Sequence, residues 1–206
     1  MEAVELNEYR EKEKGTLGIH PLKLMMYISF ASIFMFFAVT TSALLVKKGD
    51  VVNWVDFKLP NVFLVSTIVA ISCSLLVHYS LKLYKEAKFE QFRKTLLLSM
   101  LAGFAFLGCQ ILGFNALTQI GMPLDGNASG SFIWFIAIAH GLHVIGGIVF
   151  SLVTYIKARI NRNDPIYELR DLINPKRVLS LELLSTYWHF IDLLWVYLYL
   201  FFYFNY

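Results

Sequence analysis

Four polar side chains stand in the middle of two long apolar runs. His140 and His143 lie within Ser131 to Tyr155, 25 residues without Lys, Arg, Asp or Glu. His189 and Asp192 lie in the last run, Leu181 to Phe204, with the same three-residue spacing. Residues three apart share one face of a helix. Three imidazoles and a carboxylate suit Zn or Fe, although the estimated depths differ and no neighbouring group is placed to activate a bound water. Two imidazoles on opposing helices suit a bis-histidine haem. A proton or ion relay is a further reading, but it wants carboxylates at several depths, and the first three apolar runs offer none. The plainest reading is interhelical hydrogen bonding that fixes packing. An aspartate at mid-bilayer costs on the order of 3 kcal/mol unless it is paired. A bond from a histidine of the fourth run to Asp192 would offset that cost and join the last two runs. Spacing alone leaves these readings open.

The elements that must position these groups are membrane helices. The chain has 206 residues, 57% hydrophobic and 16% charged, where a soluble domain is about a quarter charged. Its charges avoid five apolar runs, at about 24–46, 60–81, 95–117, 131–155 and 181–204, each long enough to span a bilayer as a helix. The expected fold is all-α, a polytopic membrane bundle of five transmembrane helices. A polar tail, residues 1–21, precedes a membrane domain over 22–206. Pro60 suits the first turn of the second helix, and His78 falls near its far end, within reach of the interface. The third helix carries Gln110 and Asn115 with Gly103, Gly108 and Gly113. Gly141, Gly146 and Gly147 thin the fourth, and small residues let membrane helices approach closely. The fifth is crowded with aromatic residues, Trp188 and Trp195 among them.

Fifteen of the 18 Lys and Arg residues fall before the first helix, between the second and third, and between the fourth and fifth. The positive-inside rule then makes the N-terminus cytoplasmic and the C-terminus periplasmic. Cys73 and Cys109 both sit within apolar runs and read as small buried hydrophobes. The N-terminal stretch does not have the pattern of a signal peptide. Asn127-Ala128-Ser129 matches a glycosylation acceptor on the outer side, a triplet common by chance. Basic residues cluster at helix ends as topology signals and anionic-lipid contacts. Nothing points to nucleic-acid binding, and there is no GxGxxG, Walker loop, HExxH or Ser/His/Asp arrangement.

Two of these stretches resemble the hallmark motifs of subunit III of the haem–copper respiratory oxidases. They are His140-Gly141-Leu142-His143-Val144-Ile145-Gly146-Gly147 and Tyr187-Trp188-His189-Phe190-Ile191-Asp192-Leu193-Leu194-Trp195. Phe106 to Gln110 and Leu59-Pro60-Asn61 are similar to that family as well. The five-helix form is like the bacterial members that lack two N-terminal helices. The resemblance implies a non-catalytic, multi-pass subunit of the bacterial inner membrane. Such a subunit packs on the catalytic subunit I, beside subunit II and other respiratory chains. It binds phospholipid in a cleft and supports proton uptake. It holds no metal or cofactor of its own, since haem and copper belong to the partner subunits. His140, Gly141, His143, Gly147, Trp188, His189, Asp192 and Gln110 are then structural. Two positions depart from the family, which often carries a glutamate where this chain has Ile33 and another where it has Gly113. A subunit III-like accessory of nitric oxide reductase, and a stand-alone metal or haem protein using the His/Asp cluster, are the alternatives.

Overall fold

A computed structural model describes residues 20–50, 58–122, 128–160, 166, 168, 171 and 173–206. The polar tail up to residue 19 and Asn127 of the glycosylation triplet lie outside the described residues. Five long helices carry the chain: α1 Pro21–Asp50, α2 Val62–Lys85, α3 Phe89–Gln119, α4 Ala128–Ile160 and α5 Pro175–Asn205. No strand occurs among the described residues. The first four are long and apolar enough to cross a membrane. α5 is 31 residues long, but its sequence is rich in Tyr and Trp, whose polar groups lower its hydropathy.

Most helices run past their apolar cores, because backbone hydrogen bonding does not stop where charge begins. α2 continues through Lys82 and Lys85, α3 opens with Glu90, and α4 carries Lys157 and Arg159 in its last turn. Pro60 lies just before α2 rather than in its first turn, and its carbonyl accepts the Phe63 N–H at 3.1 Å. Asn174 caps α5 by accepting the Lys176 N–H at 3.1 Å, with Pro175 following in the first turn. The ends of α2 and α3 close alike. Lys88 N–H donates to the Leu83 carbonyl and Met122 N–H to the Leu117 carbonyl, both at 3.0 Å. These bonds pass over a left-handed residue, Ala87 (φ 56°) in one case and Gly121 (φ 81°) in the other.

By contacts the chain divides into two compact units, Met1–Val39 and Thr40–Tyr206. The described part of the first is the N-terminal portion of α1. There Ser29 and Ser32 donate back to the carbonyls of Met25 and Ile28, which satisfies each hydroxyl within its own helix.

The second unit is a ring of four helices closed by the end of α1. α2 packs on α3 and α5, and α4 packs on the same two. Thr41 of α1 shares a 2.8 Å hydrogen bond with the Tyr197 hydroxyl, and Lys48 donates to the Asn205 carbonyl at the end of α5. Lipid is as apolar as leucine, so burial alone does not draw these helices together; close packing and interhelical hydrogen bonds do. Glycines mark the tightest places. A Cβ at Gly113 would lie 2.8 Å from Cζ of Phe63, and one at Gly103 would lie 3.2 Å from the Trp188 ring. Gly147 meets Tyr187 and Trp188 at 3.1 and 3.2 Å, and Gly146 meets the Tyr187 hydroxyl at 3.3 Å. Gly141 and Gly108 differ from expectation: each faces open space, with nothing within 4 Å.

These distances set opposite outcomes for two equal changes on α3. Phe63 is buried against Trp195 and cannot swing away, so Gly113→Ala should cost about 1–3 kcal/mol through overpacking. Gly108→Ala should stay within about 0.5 kcal/mol of wild type. Reversible unfolding in mixed detergent micelles measures both, and equal costs would count against the close α2–α3 approach.

Candidate functional site

Two tryptophans on α5 organise the centre. Trp188 and Trp195 are seven residues apart, two turns along one face, and each is 1% exposed. The Trp188 indole N–H donates to the Ser151 hydroxyl of α4 at 3.0 Å, while its ring lies between Gly103 of α3 and Gly147 of α4. The Trp195 indole N–H donates to Thr67 of α2 at 3.1 Å. Its ring meets Phe106 edge-on at 5.1 Å and lies against His140 at 5.0 Å.

Around Trp195 the polar groups of three helices converge on one carbonyl. Ser66 and Thr67 both donate to the Phe63 carbonyl, at 2.9 and 2.8 Å. Gln110 of α3 donates its amide N–H to Ser66 at 3.2 Å. Gln110 is buried, and its Oε1 has no hydrogen-bond partner among the described residues. Gln110 and Trp195 therefore both reach Phe63 through a hydroxyl of α2.

The four central residues of the sequence do not form one cluster. His140 is buried between Trp195 and Phe106, whose centroid is 5.8 Å from its own. His143, one turn on, bonds through Nδ1 to the Ala139 carbonyl of its own helix at 2.8 Å. Its carbonyl accepts from the Tyr187 hydroxyl at 2.8 Å. His189 is exposed and turns to α2, where its Nδ1 is 2.5 Å from the Ser74 hydroxyl and its Nε2 is 3.4 Å from Nδ1 of His78. Asp192 is buried, and its Oδ2 has no hydrogen-bond partner among the described residues. The expected bond between an α4 histidine and Asp192 does not form among the described residues: His140 lies against Trp195 and His143 bonds its own helix. The α4–α5 contact is carried by Tyr187 and Trp188 instead.

Spacing did not single out Ser66, Thr67, Ser74 or Ser151, since membrane helices use many hydroxyls to bond their own carbonyls. His78 sits by His189, a pairing that no spacing within one helix reveals.

A second layer of polar contacts lies at the charged ends of α2, α3 and α5. Lys85 pairs with Glu182 at 2.9 Å. Arg93 pairs with Glu90 at 2.9 Å and with Glu168. Arg177 pairs with Asp171 at 3.1 Å, and the Tyr84 hydroxyl donates to the same carboxylate at 3.3 Å. The link between α4 and α5 is fastened in this way to the α2–α3 turn.

Fold and site together define an all-helical, multi-pass membrane protein whose central polar groups are engaged in joining its own helices. A family model of cytochrome c oxidase subunit III matches residues 16–206, and the chain belongs to that family. It is similar to the cytochrome c oxidase subunit 3 of Bacillus sp. (strain PS3), with 29% identity over 143 residues, 69% of this chain and 64% of that one. It is 28% identical over 173 residues to that of Bacillus subtilis (strain 168), covering 84% and 77%. Against that of Rhipicephalus sanguineus it is 28% identical over 147 residues, covering 71% and 51%. The matched stretch is therefore less than two thirds of the length of the first and third of these relatives.

If Trp188 joins α3, α4 and α5, its bulk should matter more than its indole N–H. Trp188→Phe should cost about 1 kcal/mol for the lost bond to Ser151. Trp188→Ala should cost about 3–5 kcal/mol, through the space it empties. Unfolding followed by circular dichroism separates the two, and near-equal losses would refute the packing role.

Proposed function

We propose that the chain is a non-catalytic subunit III of a haem–copper terminal oxidase. In this reading all five helices span the bacterial inner membrane, with the N-terminus cytoplasmic and the C-terminus periplasmic. The charged ends that carry Lys85, Arg93 and Arg177 then face the cytoplasm, as the positive-inside rule asks. The chain packs against subunit I, binds phospholipid and supports proton uptake by the complex, while haem and copper reside in the partner chains.

One observation supports this most directly. His140, which by residue type is a candidate metal or haem ligand, is 1% exposed and sits between Trp195 and Phe106, while His189 and Asp192 are turned to α2. The polar centre thus holds helices together, as a subunit that positions others requires. The outward faces suit the same role. Leu64, Ile68, Ile71 and Leu75 of α2, and Phe135, Leu142, Val149 and Val153 of α4, are large, apolar and exposed in the single chain, a surface for lipid or for another membrane subunit.

The test is purification of the full chain in mild detergent through a C-terminal tag, with a reduced-minus-oxidised spectrum and identification of what comes with it. Large haem-bearing subunits should co-purify, and harsher detergent should remove every haem signal from this chain. A chain that comes alone and keeps stoichiometric haem or copper would overturn the proposal.

A further inference from the structure

His78 and His189 stand on an exposed face shared by α2 and α5, outside the packed centre. Their rings are 5.4 Å apart between centroids, and Nε2 of His189 faces Nδ1 of His78 at 3.4 Å. That distance is long for a hydrogen bond to nitrogen, which clusters near 2.9–3.0 Å for N–H donors. It is close to the ~3.3 Å that separates two ligands on a tetrahedral ion at the usual Zn–N distance of about 2.0–2.1 Å.

Ser74 engages one of the two ring nitrogens of His189, its hydroxyl oxygen 2.5 Å from Nδ1. In the tautomer that carries its proton on Nδ1, His189 donates to Ser74 and keeps the lone pair of Nε2 toward His78. A hydroxyl then orients the imidazole from behind, as outer-shell partners orient metal-binding histidines.

We infer that His78 and His189 form a two-histidine site for a divalent transition-metal ion of the zinc type. His78 Nδ1 and His189 Nε2 are the ligands, and Ser74 is the orienting group behind His189. Among the described residues no third His, Cys, Asp or Glu joins the pair, so the remaining positions are left to ligands from outside the chain. His78 lies seven residues from Lys85 and His189 seven from Glu182, which places the site about 10 Å along the helices from that ion pair. Its occupation would clip α2 to α5. The site is separate from the haem and copper assigned above to other chains, and its test needs none of those chains.

The experiment is a calorimetric titration of ZnCl2 into the full chain in detergent, freed of metal by a chelator, with Co(II) absorption as a second readout. Wild type should bind one ion per chain and give the absorption of nitrogen-ligated cobalt. His78→Gln and His189→Gln should each abolish that absorption. Ser74→Ala keeps both ligands and should weaken binding by about 10- to 100-fold. His143→Gln should leave the titration unchanged. Circular dichroism checks that each variant is folded, which exposed positions such as 78 and 189 should permit. If wild type and a His78→Gln/His189→Gln chain take up zinc with equal affinity, the binding is adventitious and the site does not exist. An unchanged affinity in Ser74→Ala would overturn the orienting role of Ser74.

Discussion

A polar group at the centre of a membrane bundle has no water to fall back on, so it must find its partner within the protein. Trp195 meets that constraint with one donor. Its indole N–H reaches Thr67, Thr67 reaches the Phe63 carbonyl, and Ser66 brings Gln110 to the same carbonyl. Three helices are thereby held at one point, and each bond sets how far a helix can rotate about its own axis. The aromatic contacts follow. With Trp195 fixed by its nitrogen, its ring has one place to lie, against Phe106 and His140.

Trp188 does the same two turns away, but toward α4. Its bond to Ser151 and its bed between Gly103 and Gly147 explain why those glycines matter and Gly141 does not. A glycine matters where a large ring crosses it. Between the two tryptophans, His189 turns to Ser74 of α2. One helix therefore sends its side chains to several neighbours.

The five helices were legible because long uncharged runs have few other solutions in a protein. Their ends were less so, since helices continue through Lys82, Glu90 and Lys157 once the backbone is committed. The family was legible from two motifs in order. The partners within the bundle were not. In a soluble helix the apolar stripe names the buried face, but here Leu64, Leu75, Leu142 and Leu193 are all exposed. Hydropathy therefore gives no azimuth for any helix, and the bond expected from α4 to Asp192 does not form among the described residues. Nor does the position of His78 along α2 show that its side chain lies beside His189. Spacing relates residues within a helix; these pairings are between helices.

Gly113 shows how a local departure can be absorbed. The family resemblance places a glutamate at this position in many members. In this chain the space a side chain would take is filled from α2, with the Phe63 ring 2.8 Å from where a Cβ would stand. Phe63 is itself held by its carbonyl, which accepts both Ser66 and Thr67, and by Trp195 against its ring. A carboxylate cannot be restored at 113 by one substitution, because the same phenylalanine that fills the gap also anchors Gln110 and Trp195. The helix contact has taken over the volume of the acid. Any task that depends on a buried carboxylate at this point of α3 must therefore be done elsewhere or not at all.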